Sequence, residues 1–159
     1  MESFIGFVAE YLYIGVVGLI ILFLLVRYRA HWLELLIATV VIGGIGYLLS
    51  KVGTNLISDP RPFVQTGTTP LIHSATDNGF PSDHTLLLAT AAVIVALVNR
   101  WAGAIGLAFA LLIGLARVYV GVHHLVDVLG SFAIVAIATL IYLSGRSFWQ
   151  QQKQAIRPK

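Results

Sequence analysis

Five apolar runs alternate with polar breaks along the chain, at 4–26, 33–57, 82–98, 102–120 and 125–143. A helix rises about 1.5 Å per residue, so roughly 20 apolar residues cross a hydrocarbon core about 30 Å thick. The run at 82–98 is the shortest of the long runs. Most breaks are brief: Arg27-Tyr28-Arg29-Ala30-His31-Trp32, Asn99-Arg100-Trp101, and a turn at Gly121-Val122. The segment 58–80 is longer and carries Pro60, Pro62 and Pro70 among Gly, Thr, Asn and Asp, which marks it as a loop. The pattern predicts an all-α integral membrane bundle of five or six helices in a single domain over 1–159.

Within this frame some positions carry local signals. Pro81, Ser82 and Asp83 form a helix start, with Ser82 or Asp83 as N-cap ahead of the apolar run. Gly43, Gly44 and Gly46 predict a close helix approach in the middle of the second span. Glu10 lies inside the first span, and the cost of a charge in hydrocarbon predicts that it faces protein or water near the membrane edge. The polar, basic tail at 144–159 is too poor in apolar residues to span, and reads as an extension of the last helix or an interfacial segment.

Composition agrees with the pattern: 58% of the 159 residues are hydrophobic, 11% are charged, and the mean hydropathy is +0.88. A soluble domain of this length is far less apolar. The net charge of +3 does not point to nucleic acid, because the basic residues sit in the breaks and form no run interleaved with aromatics. The absence of cysteine excludes disulfides and thiolate chemistry. Met1-Glu2-Ser3 lacks the basic start of a secretory signal, so the first apolar run is expected to be a retained span. Five spans put Arg27, Arg29, Arg100, Arg146, Lys153, Arg157 and Lys159 on one side, and Lys51, Arg61 and Arg117 on the other. The positive-inside rule then predicts an N-out, C-in orientation, and Trp32, Trp101 and Trp149 share the inner interface.

The polar groups that remain gather at the outer ends of the spans. Arg61 and Arg117 offer planar forks for phosphate oxygens, Lys51 adds a point charge, and Ser82 with the first-turn N–H groups adds helix N-terminal donors. His123 and Asp127 are four apart, so on a helix the carboxylate orients the imidazole and stabilises its cation. That is the arrangement of a nucleophilic histidine, and His84 from another helix start is placed to act as general acid. His124, three before Asp127, competes for the same carboxylate. His73 and Asp77 are expected to structure the loop, and Tyr119 to lie at the interface. A metal held by His84, His123, His124 and Asp127 is disfavoured because the arginines would repel a cation.

These residues resemble the three signature motifs of the type 2 phosphatidic acid phosphatase superfamily: Lys-x6-Arg-Pro, Pro-Ser-Gly-His, and Ser-Arg-x5-His-x3-Asp. Arg61-Pro62 fits the first, Pro81-Ser82-x-His84 the second, and Arg117-x5-His123-x3-Asp127 the third, over nearly half the chain. The resemblance implies a membrane phosphatase without cofactor or metal, working through a phosphohistidine on His123 with His84 as acid. Three positions depart from the pattern. Thr54 stands where the family has Lys, and Lys51, one turn earlier, is expected to substitute for it. Asp83 replaces Gly at the phosphate-facing helix start, and Ala116 replaces the Ser before Arg117.

The Pro-Ser-Asp-His form, the stretch His73-Ser74-Ala75-Thr76-Asp77-Asn78-Gly79-Phe80 and the small size are similar to the bacitracin-resistance type of undecaprenyl pyrophosphate phosphatase. That type implies hydrolysis of a polyprenyl diphosphate at the outer face of the plasma membrane, in cell-wall lipid recycling. Its partners would be the lipid diphosphate and the surrounding membrane lipids. The competing expectations are a phosphatase for phosphatidate or phosphatidylglycerophosphate, and a non-enzymatic binder or transporter of lipid phosphates.

Overall fold

In a computed structural model the protein is described over residues 2–155, with side chains over 4–152. Met1, which enters the signal argument, and Arg157 and Lys159, which enter the orientation argument, lie outside the described residues. The elements are α1 (Glu2–Glu10), α2 (Leu12–Arg27), a 3-10 turn (Arg29–His31), α3 (Trp32–Leu56), α4 (Pro62–Thr66), α5 (Asp83–Ala96), α6 (Arg100–Tyr119) and α7 (Leu125–Ala155). Among the described residues the regular elements are all helices, with one isolated bridge between Pro60 and Asn78.

The first apolar run is not one straight helix. It bends by 49° between α1 and α2, at Tyr11. No proline lies there, and the cause is a side chain entering the backbone ladder: Arg117 Nη1 donates to the Ala9 carbonyl at 3.1 Å. A helix kinks where an outside group takes a carbonyl from its own ladder, so the bend and the placement of Arg117 share a cause.

Among the described residues three helices are long and apolar enough to cross a membrane, and the bent pair, taken as one span, makes a fourth. The expected span at 82–98 is the exception: α5 has 14 residues and is shorter than a bilayer core requires. It occupies the middle of the bundle, packed against α2, α3, α6 and α7. Leu88, Ala89 and Ala92 on it are fully buried. Around it, large apolar side chains such as Leu19, Leu48 and Leu140 point outward with 64–68% of their surface exposed, as lipid-facing positions must.

Close helix contact comes from other glycines than the sequence suggested. A methyl at Gly43, Gly44 or Gly46 would meet nothing within 4 Å, so these residues do not mark a close approach. At Gly103 a Cβ would fall 2.4 Å from the Ala96 Cβ, at Gly106 2.8 Å from the Ala92 Cβ, and at Gly114 2.6 Å from Val128. These three lie on α6, where it packs on α5 and α7. The small residues draw the three helices together beneath the polar cluster.

The segment between α3 and α5 is tied down rather than loose. Asn78 Nδ2 donates to the carbonyls of Thr54 and Ile57 at 2.8 and 2.7 Å, and Asn78 Oδ1 accepts from the Asp59 N–H at 2.9 Å. Gly79 N–H donates to the Asp59 carbonyl at 2.8 Å, and Leu71 N–H to the Val120 carbonyl at 3.3 Å. This holds the segment against the end of α3 and the α6–α7 turn. At the opposite end, Arg146 pairs with Glu34 and joins α7 to α3. The tail, left open between two conformations by its composition, continues α7 as helix to Ala155.

Candidate active site

Local geometry fixes the spacing between Arg117 and His123. At the end of α6, Gly121 takes φ +80°, its N–H donates to Val118 O at 3.0 Å, and the Val122 N–H donates to Arg117 O at 3.2 Å. This is the pair of bonds by which a left-handed glycine closes a helix. Val122 is thereby buried completely, and His123 follows it into the interior with 2% exposure. At the start of α7 the Asp127 carboxylate reaches back, Oδ2 accepting from the His124 N–H at 2.8 Å. An acidic side chain in the first turn suits the orphan N–H groups and the helix dipole there.

The same Oδ2 lies 3.1 Å from His123 Nδ1. With Nδ1–H donated to Asp127, Nε2 keeps its lone pair, and that lone pair faces Nη1 of Arg61 at 3.3 Å. The Arg61 Nη1 also donates to Val122 O at 3.0 Å, while its Nε and Nη2 both lie 3.0 Å from Asp77 Oδ1. Pro62 at the first position of α4 sets the chain direction after Arg61. Arg61 and Arg117 are both buried. Burial holds the His123 imidazole below its ordinary value of 6.5; the Asp127 hydrogen bond opposes this, and the charges of Arg117 and Arg61 reinforce it.

The second histidine approaches from the start of α5. His84 Nε2 lies 3.4 Å from Arg117 Nη1, and its ring meets Tyr13 edge-on with centroids 4.3 Å apart. Arg117 Nε is buried without a hydrogen-bond partner, a donor left over for an anion. Ser82 stands at the N-cap, yet its side chain does not cap: Oγ accepts from Thr85 Oγ1 at 3.1 Å. The first N–H groups of α5 are therefore without a side-chain cap, as an anion site at a helix N-terminus needs. Ser82 is locked by Ser131 Oγ, which donates to its carbonyl at 2.9 Å, and is fully buried. Asp83 is exposed in the first turn of α5.

The structure thus brings together Arg61, Ser82, His84, Arg117, His123 and Asp127. It does not bring Lys51 to them: that residue is exposed and its ammonium lies over the Tyr47 ring, 5.4 Å from the centroid. The expected exchange of Lys51 for the family lysine has no contact in the structure to support it. Thr54 faces inward, its hydroxyl donating to Phe80 O at 3.0 Å. Asp77 has a larger role than loop formation, since it holds Arg61. Asp59, two residues before Arg61, falls in none of the sequence motifs; its carboxylate lies 3.0 Å from His124 Nδ1. Burial, with the hydrogen bond and charge of Asp127, pushes Asp59 above its ordinary 3.8 against the pull of His124. Asp59, His124 and Asp127 bring donor atoms within 4.8 Å of one another, a spacing open to a cation, although the Arg61 guanidinium nearby disfavours one.

Fold and site together define a helical membrane protein with a histidine–carboxylate pair, a second histidine and two buried arginines at one end of the bundle. Residues 31–151 match the model of the PAP2 superfamily, and the chain belongs to that superfamily. It is 36% identical over 100 residues to undecaprenyl-diphosphatase BcrC of Bacillus subtilis strain 168, covering 63% of this chain and 52% of that one. It is 30% identical over 155 residues to the bacitracin transport permease protein BcrC of Bacillus licheniformis, covering 96% and 73%. The chain thus spans about half to three quarters of the length of these relatives. The crystal structure of a transmembrane PAP2 type phosphatidylglycerolphosphate phosphatase from Bacillus subtilis shares the fold, with TM-score 0.57 and 22% identity over 98% of this chain and 76% of that one.

Proposed function

We propose that the protein is an integral membrane phosphatase that hydrolyses a polyprenyl diphosphate, undecaprenyl diphosphate in particular, to the monophosphate and phosphate. The observation that carries the reading is His123, its Nδ1 on Asp127 and its Nε2 turned to Arg61 at 3.3 Å. A site that only bound an anion would have no use for an oriented, uncharged imidazole among its cations.

In the first step, Arg61, Arg117 and the start of α5 hold the terminal phosphoryl group, and Nε2 of His123 attacks phosphorus. The P–N bond forms as the P–O bond to the bridging oxygen breaks, and His84 delivers its proton to that oxygen. In the second step His84 takes a proton from water, whose oxygen attacks phosphorus; the P–N electron pair returns to Nε2 and phosphate leaves. Asp127 stabilises the charge that His123 acquires. Pre-placed donors supply most of the stabilisation in phosphoryl transfer.

The basic residues Arg27, Arg29, Arg100 and Arg146 lie at the bundle end away from the site, which supports an N-out, C-in orientation in the plasma membrane with the site outside. A lipid would then enter sideways from the outer leaflet. The name of the structural neighbour favours a second reading, phosphatidylglycerophosphate as substrate. The test is phosphate release by purified protein in EDTA from undecaprenyl diphosphate, phosphatidylglycerophosphate and phosphatidate, with His123→Ala alongside. Preferential release from the diphosphate, lost in the variant, is expected. Preference for either glycerolipid overturns the substrate, and release surviving His123→Ala overturns the nucleophile.

A further inference from the structure

Behind the His123–Asp127 pair stands a second pair whose geometry has no part in the steps above. Asp127 is fully buried and its Oδ2 is taken twice, by His123 Nδ1 and by the His124 N–H, while Oδ1 has no hydrogen-bond partner. A buried carboxylate oxygen without a donor is costly and demands an explanation. A side chain placed to supply one is Asp59: one of its carboxylate oxygens lies within 4.8 Å of one carboxylate oxygen of Asp127 and of a ring nitrogen of His124.

The Asp59 backbone is held in place, and its side chain is set beside His124. Its N–H donates to Asn78 Oδ1 at 2.9 Å, its carbonyl accepts from Gly79 N–H at 2.8 Å, and its Oδ1 lies 3.0 Å from His124 Nδ1. A Cβ at Gly79 would come 3.1 Å from both Asp127 Oδ2 and the Asp59 carbonyl, so glycine there lets the two segments approach. We propose that Asp59, oriented by His124 and carrying a proton, donates to Oδ1 of Asp127 and is a positioning residue for the nucleophile. Asp59 O–H and His123 Nδ1–H then both donate to the Asp127 carboxylate, while His124 Nδ1 stands 3.0 Å from Asp59 Oδ1 without hydrogen-bond geometry. Asp127 then cannot rotate away from His123 as the imidazole becomes cationic.

The charged groups facing Asp59 are consistent with a retained proton. Asp127 approaches from α7 and His124 from the α6–α7 turn. Arg61, two residues along the same segment, is turned to Asp77 and His123 instead. Burial and the neighbouring carboxylate raise the affinity of Asp59 for its proton. Deprotonation would set two carboxylates against each other behind His123, so high pH should loosen the pair.

This role rests on the phosphatase reading, and the experiment separates the two. Phosphate release is measured across pH for wild type, His123→Ala, Asp59→Ala and Asp59→Asn in EDTA. Asp59→Ala should lose about 10- to 100-fold in kcat with little change in KM, as outer-shell partners of a working group do. Asp59→Asn keeps a donor, so it should recover most of that loss, and its alkaline limb should move to higher pH because nothing at 59 titrates. Equal activity in wild type and Asp59→Ala, with His123→Ala inactive, overturns the positioning role and leaves the phosphatase reading standing. Equal loss in both Asp59 variants overturns it; where EDTA also abolishes wild-type release and Zn²⁺ or Mg²⁺ restores it, the same side chains hold a cation instead. No release by wild type from any lipid phosphate overturns both.

Discussion

Asp77 grips Arg61 from the side, its Oδ1 standing 3.0 Å from both Nε and Nη2, so that Nη1 is the nitrogen turned toward His123. The pair is lopsided in exposure: 9% for the Arg61 side chain and 67% for Asp77. An exposed partner in water contributes only about 0.2–1 kcal/mol to such a pair. Asp77→Ala is therefore expected to lower kcat/KM by no more than about fivefold, with the loss shrinking at high salt. Arg61→Ala removes a proposed phosphate donor itself and is expected to cost about 10²- to 10³-fold. Parallel kinetics on the two variants at two ionic strengths check both numbers. Equal losses would mean that Asp77 is not merely a guide for Arg61.

The acid side of the pH profile follows from the burial of His123. Its imidazole is held below 6.5, chiefly by desolvation, with the Asp127 hydrogen bond opposing and the two arginine charges reinforcing. As the proposed nucleophile, His123 must be neutral. A lowered value means that the neutral form persists as pH falls past 6.5, and that activity is lost only when pH drops through the lower, folded-state value. Ring NMR of histidine-labelled protein in detergent, with His123→Gln to assign the signal, should show His123 titrating below 6.5. A midpoint above 6.5 would mean that the Asp127 contact outweighs burial, and that the resting histidine is a cation.

Much of the candidate site's arrangement could be read from residue order, because its parts sit at the ends of apolar runs and carry chemistry at fixed spacing. Arg117, His123 and Asp127 fall together because a glycine-closed helix end and a first-turn carboxylate are both local devices. What could not be read was direction around a helix. Lys51 and Thr54 lie on neighbouring faces of α3, yet the fold turns Thr54 to Phe80 and leaves Lys51 exposed beside Tyr47. Asp59 was hidden for a related reason, since its partners His124 and Asp127 are more than sixty positions away and only the folded loop joins them. Lys51→Ala is expected to change kcat/KM by about twofold at most, as surface substitutions do. A loss near that of Arg61→Ala would restore Lys51 to the phosphate site.

The glycines make the same point through packing. Gly130 on α7 has the Phe80 ring against it, and a Cβ there would fall 2.2 Å from Phe80 Cε2. Phe80 is buried and directly precedes Pro81 and Ser82, so displacing it disturbs the start of α5. Gly130→Ala is expected to cost about 1–3 kcal/mol of stability by overpacking and to lower activity with it. Gly43→Ala meets open space and should be neutral or stabilising by up to about 1 kcal/mol, since alanine is the better helix former. Thermal unfolding in detergent with activity on the same samples distinguishes the two. A destabilising Gly43→Ala would point to a neighbour that covers this face of α3 in the membrane.

The leaving group decides how much His84 matters. A diphosphate expels a phosphate oxygen, whose conjugate acid has a pKa near 6, whereas a monoester expels an alkoxide nearly as basic as hydroxide. General acid catalysis contributes about 10²- to 10⁴-fold where the departing oxygen needs its proton. His84→Ala should therefore suffer the full loss on phosphatidate and a smaller one in the first step on a polyprenyl diphosphate. The second step has no such relief, because water still needs a base to attack phospho-His123. With the diphosphate as substrate, the His84→Ala variant should accordingly accumulate phosphoenzyme. Radiolabel from the terminal phosphate should appear on the protein in an acid-labile, alkali-stable form, and be absent when His123→Ala is added. Label that persists without His123 would place the covalent intermediate elsewhere. Absence of label, with both substrates equally slowed, would mean that His84 positions the phosphate through Arg117 rather than handling protons.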